Sequence, residues 1–221
     1  MTDDRKSGIA LIAGSLGGVL TMAMHPTGAA SLTADQVARL MRASAVPHSL
    51  AMVSCVALFL GACGLVRRIA APDRIAFAAI VTFGFACVAV FIATAVSGFI
   101  VPNIWRHMAR DVPAAAQQWK MVIDGIFQIN QAFANIYSVA VSLAIVLWSI
   151  STLRNGGLGR GVATYGCVIG PLIIAAIVIG HLRMDVHGMA AVVLGQSIWF
   201  VVVGAQLCSR TAAAPASAVL P

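Results

Sequence analysis

Apolar and polar positions in this chain neither alternate at the period of a strand nor recur in the narrow stripes of a soluble amphipathic helix. They segregate into long blocks. Six stretches, 8–24, 48–66, 75–101, 133–153, 161–180 and 187–208, contain no charged residue. Each is close to the roughly 20 residues that a helix needs to cross a hydrocarbon core of about 30 Å. In lipid a helix satisfies every backbone N–H and C=O within its own segment, so the pattern predicts an all-α, polytopic transmembrane helix bundle with about six transmembrane helices. Residues 1–210 read as a single transmembrane helical domain and 211–221 as a short flexible C-terminal tail. Arg5 and Lys6 before the first stretch, with Gly28 and Ala30 after it, would also suit a signal peptide. Its 17 apolar residues exceed the usual core of such a signal, and we take it as a retained helix.

Two connections on the outer side are long enough to hold structure, near 33–45 and 103–131. In the first, Thr33 would cap a short surface helix with Val37, Leu40, Met41 and Ser44 on one face, ended by Pro47. In the second, Trp105, Arg106 and His107 form an interfacial cluster, and Asp111 with Pro113 signals a new helix. No breaker except Gly125 follows before Leu153, so one helix there would be about 60 Å long at 1.5 Å per residue. Its first half must project from the membrane or bend near Gly125. Gly170-Pro171 predicts a kink in the fifth helix. The glycines around Asn155 lack phosphate-loop spacing and read as a flexible turn.

Composition narrows the chemistry. Hydrophobic residues make up 60% of the chain and charged residues 10%, with a mean hydropathy of +0.95. All seven acidic residues are Asp, which disfavours sites built on paired glutamates. The net charge of +7 comes without basic runs or aromatic interleaving, so nucleic acid is not a predicted partner; the lipid bilayer is. Short-loop basic residues divide eight to six between the two sides, favouring both termini on the cytoplasmic side, and the chain reads as a multi-pass protein of a bacterial cytoplasmic (inner) membrane. The five cysteines form no CxxC motif and read as small apolar residues.

One pattern points to a function. On this topology His25, His48, His107, His181 and His187 all fall at the outer face, and so do the eight methionines after Met1. Imidazole with thioether suits copper, above all Cu(I), and imidazole alone suits haem b. The expected metal ligands are therefore His25, His48, His107, His181 and His187 with Met24, Met52 and Met189, for metal handling or electron transfer at the outer surface. An interfacial belt of His and Met is the bland counterpart. A polar stripe on the fourth helix (Gln117, Asp124, Gln128, Gln131, Asn135, Ser138, Ser142) recurs at helical spacing. From it Asp124, Gln128, Gln131 and Asn135, together with Asp185, are expected to support the ligands. The same stripe allows a small-molecule transporter or binder, and the apolar exterior allows an accessory subunit of a larger membrane complex or a homo-oligomer. Ser97-Gly98 with His187 and Asp185 or Asp124 is faintly similar to rhomboid proteases, with the serine on a different helix from theirs.

Overall fold

The computed structural model describes residues 1–25, 39, 43–69, 73–108 and 116–209, with 108, 116 and 117 described as backbone only. The helices are α1 (Asp3–Ala23), α2 (Ala45–Ile69), α3 (Arg74–Ala95), α4 (Val101–Met108), α5 (Ala116–Asn155), α6 (Arg160–Val178) and α7 (Val186–Ser209), and a π-helical turn, Val96–Ile100, joins α3 to α4. With α3, the π turn and α4 taken as one rod, six helices among the described residues are long and apolar enough to cross a membrane. The chain is a multi-pass, all-α membrane protein. Leu60, Phe77, Phe85, Leu172 and Val178 are each more than half exposed, as a lipid-facing belt requires.

Small residues set the closest packing. A Cβ on Gly14 would stand 2.7 Å from the Ser54 carbonyl oxygen, and one on Gly61 2.9 Å from the Leu11 nitrogen. A Cβ on Gly204 would stand 2.7 Å from the Gly8 carbonyl oxygen. Only hydrogen fits at these points, so the α1 backbone comes directly against α2 and α7, the usual economy of membrane helix pairs. The Cys208 thiol also donates to the Arg5 carbonyl at 3.7 Å, which brings both ends of the described chain to one face. From α1 the ring continues through α2, α3 and α5 back to α7, and α6 lies against α5 and α7.

The half of the ring nearer the termini is solid. Phe83, Trp148, Trp199 and Phe200 are each at most 2% exposed, and their neighbouring rings lie 5.2 to 5.8 Å apart. These edge and offset contacts suit aromatic quadrupoles.

Three expectations are refined. α5 passes unbroken through Gly125. Gln131 Nε2 donates to the Met184 carbonyl at 3.0 Å, so the helix from Ala116 to Asn130, about 22 Å at 1.5 Å per residue, runs past the level where α6 turns into α7. It projects. Pro47 stands in the first turn of α2, where a missing N–H costs nothing, so that helix begins at Ala45, ahead of the expected His48. α6 is continuous through Pro171. At the end of α5, Gly156 (φ 78°) and Gly157 (φ 95°) take the left-handed conformation that closes a helix, and the Gly156 N–H donates to the Thr152 carbonyl at 2.8 Å. Thr33, Val37, Leu40 and Met41, the candidate cleavage site, Asp111, Pro113 and the 211–221 tail lie outside the described residues.

Asp73 ties two helices at the termini face. Its carboxylate accepts from the Ile75 N–H (2.9 Å) as the N-cap of α3, and also from the Ser151 hydroxyl and Asn155 Nδ2 (2.8 Å) at the end of α5. The Ser151 hydroxyl first, then the Ile75 amide and the Arg154 charge, hold this carboxyl below its usual 3.8 against partial desolvation. A depressed carboxyl stabilises the fold above its ordinary pKa, and that contribution fades as pH falls through the lowered value. Asp73→Ala is expected to cost about 1 kcal/mol of unfolding free energy at neutral pH. Asp73→Asn should flatten the part of the acid destabilisation that sets in below 3.8, measured by unfolding of the detergent-purified protein. Acid profiles that superimpose for wild type and Asp73→Asn would refute this role.

Candidate functional site

Beyond the aromatic layer the ring does not fill. A cavity of 350 Å³, within the range of small-molecule pockets, lies between α1, α2, α3 with its π turn, α5 and α7. Gly14, Leu58, Val90 and Phe200 line its deep end, and His25, His48, Gln131 and Asp185 line the other. Of its described lining only Phe127 and Asp185 are exposed, which sets the mouth on the face opposite the termini. The wall is mostly apolar, and the aromatic layer below closes it.

Side-chain amides hold the far wall. Gln196 on α7 donates from Nε2 to the Ser138 carbonyl (3.1 Å) and to Ser142 Oγ (3.0 Å) on α5. One turn further, Trp199 Nε1 donates to Ser149 Oγ at 3.2 Å. Where α7 meets α5 a glutamine side chain spans the gap, whereas at the α1 glycines backbone meets backbone. The Ser138 hydroxyl, in turn, points at the sulfurs of Met184 (3.4 Å) and Met189 (3.6 Å), a weak but satisfying arrangement for a hydroxyl in lipid.

His48 is the most closely fitted side chain at the mouth. It is 5% exposed, and its Nδ1 lies 2.6 Å from the Ser44 carbonyl oxygen one turn earlier. A carbonyl only accepts, so Nδ1 carries the proton and the lone pair resides on Nε2. Ser44 Oγ donates to the Ser97 carbonyl at 3.3 Å, joining this turn to the π turn. There Gly98 faces the imidazole: a Cβ would stand 2.5 Å from the His48 Cβ and 2.8 Å from its Cγ. π turns insert one residue into a helix and are frequent at functional sites, and this one brings the glycine to the ring. The His25 ring approaches edge-on, with centroids 5.3 Å apart and planes at 66°.

Of the five histidines, then, two meet at the cavity. His107, His181 and His187 are exposed and line none of it. Helical phase explains His187: the cavity face of α7 runs through Met189, Val193, Gln196 and Phe200, and His187 is turned away from that face by its place in the 3.6-residue turn. His107 lies about 15 Å along the helix past Ser97, the last cavity residue of that rod. Met189 lines the cavity, whereas Met24 is exposed and Met52 is half-buried outside it. Met22 and Met184 line it without having been expected to. Gln131 and Asp185 line the mouth; Asp124 and Gln128 are exposed, and Asn135 is half-buried off the cavity. Ser97 lines the cavity, but His187 does not join it there, and Asp185 Oδ1 is occupied in accepting the His187 (3.0 Å) and Gly188 (2.9 Å) N–H groups as a cap of α7.

Sequence reasoning missed Asn130 and the α1 face, and it gave Ser44 and Gly98 other roles. Asn130 stands next to Gln131, off the predicted stripe by one position, and no periodicity marked it. Among the described residues no group of three or more His, Cys, Asp or Glu gathers as metal ligands would. No family model, no curated protein and no solved structure matches this chain.

Gly98→Ala is expected to destabilise the protein by about 1–3 kcal/mol, the usual cost of overpacking, because the imidazole must shift. Gly125→Ala, with nothing within 4 Å of its Cβ, is expected to be neutral or to stabilise by up to about 1 kcal/mol. Thermal unfolding of both variants decides it, and equal effects would rule out a fitted recess for His48.

Proposed function

We propose that this protein is a membrane-embedded binder of a small molecule with an apolar body and one polar end. The observation that carries this reading is the form of the cavity: apolar and closed at depth, polar and open at one face. A pocket shut from below favours binding from one side over a continuous path across the membrane. With the termini cytoplasmic, as the basic residues favour, the mouth faces outward.

The experiment is a binding-dependent rise in stability. A ligand at 100 times its dissociation constant stabilises the folded state by about 2.7 kcal/mol. Screening of small amphiphiles by thermal unfolding is expected to find compounds that stabilise the wild type. Ala51→Phe, which puts bulk into a half-buried stretch of cavity wall, should remove their effect. Stabilisation that survives Ala51→Phe would place binding elsewhere.

One observation favours a second reading. The paired imidazoles of His25 and His48 share the cavity with the thioethers of Met22, Met184 and Met189. That donor set suits Cu(I), whereas zinc has little use for thioethers. The Nδ1–H bond of His48 orients its ring as a metal-bound imidazole is usually oriented. On this reading the purified protein carries copper and His25→Ala with His48→Ala removes it. Elemental analysis with copper at background would end it.

A further inference from the structure

The hydrogen bonds around the cavity restrict what kind of polar end its ligand has. His48 donates Nδ1–H to the Ser44 carbonyl, and Gln196 donates both N–H groups to α5, one of them to the Ser138 carbonyl. Carbonyl oxygens are obligate acceptors, so neither the tautomer of the one nor the orientation of the other is free to reverse. What each side chain has left is a lone pair: Nε2 of His48 and Oε1 of Gln196, on residues 5% and 3% exposed. Neither atom has a partner among the described residues. Asn130 adds a buried Oδ1 that likewise lacks one. At the mouth Asp185 is held rigid through Oδ1 by two backbone N–H groups and keeps its second carboxylate oxygen. Ser15, Thr21 and Thr94, also in the wall, donate their hydroxyls to their own helices at 2.8, 2.9 and 2.7 Å.

Near the mouth, then, His48 Nε2, Asn130 Oδ1 and the second Asp185 oxygen are acceptors without a donor among the described residues, and for the buried one, Asn130 Oδ1, an unmet lone pair is costly. We infer that the ligand presents hydrogen-bond donors, and specifically that it is a lipophilic amine whose ammonium group sits at the mouth beside Asp185 with its apolar body below. The inference rests on the cavity being a binding site. The cation is favoured over a neutral donor by the Asp185 charge at the mouth. Arg183, the nearest basic residue in sequence, is exposed and outside the lining.

The test compares one carbon skeleton with three ends, phenylbutylamine, phenylbutanol and phenylbutyrate, by equilibrium dialysis against the full-length, detergent-purified protein at neutral pH. The amine should bind about tenfold or more tighter than the carboxylate, the worth of one charge-assisted hydrogen bond, with the alcohol between them. Asp185→Asn keeps the α7 cap and removes the charge; it should weaken the amine about tenfold and leave the alcohol unchanged. Ala51→Phe should abolish binding of all three. If the carboxylate binds as well as the amine, or Asp185→Asn weakens amine and alcohol alike, the donor inference falls while the cavity remains a site. If none of the three binds above the Ala51→Phe background, both the inference and the binding reading are overturned.

Discussion

Two kinds of helix contact set this architecture, and the difference in their reach creates the cavity. Where α1 meets α2 and α7, glycines let backbone approach backbone. Where α7 meets α5, the Gln196 amide stands between them, with its N–H groups on Ser138 and Ser142. In lipid an apolar surface gains little by touching another helix instead of an acyl chain, so contact distance is decided by van der Waals fit and by polar groups that need partners. Gln196 needs partners, finds them across the gap, and fixes its width. An all-glycine seam there would draw the wall inward; the bridging amide keeps it open. The aromatic layer then determines how deep the opening goes.

The mouth is built with similar economy. The π turn in the third span, Gly98 within it, Ser44 and His48 form one unit in which each element is needed for the next. The extra residue of the π turn brings Gly98 to the ring, the missing Cβ leaves room for the imidazole, and the Ser44 carbonyl fixes its tautomer. A histidine merely comfortable at the headgroup level would need none of this. Its neighbours His107, His181 and His187, which are exposed and without such surroundings, fit that plainer description.

The small-molecule and copper readings draw on the same cavity but on different atoms. Cu(I) would use the lone pairs of imidazole and sulfur, and its reading gains from the methionines that line the wall. An amine would use oxygen and nitrogen lone pairs together with the Asp185 charge. The hydrogen-bond pattern favours the amine because Asn130 and Asp185 have no part in a soft metal site, and the buried Asn130 Oδ1 lacks a donor.

By itself the sequence determined the number of helices, their approximate ends, the inverted exterior and the shared face of the two termini. Each of these follows from a sum over one segment: about 20 apolar residues cross a bilayer whatever their neighbours are. It also marked Ser138 and Ser142 as members of one polar stripe along the long helix. Which side of each helix faces inward was decided only by the tertiary structure. A soluble helix announces its buried face by contrast with water, whereas here both lipid and core are apolar and the contrast vanishes. That is why Met189 and His187, two residues apart, were indistinguishable as ligands, and why Asn130 beside Gln131 went unnoticed. Sequence placed five histidines at one level of the membrane; the rotation of each helix about its axis, set by glycine contacts and one amide bridge, brought two of them together.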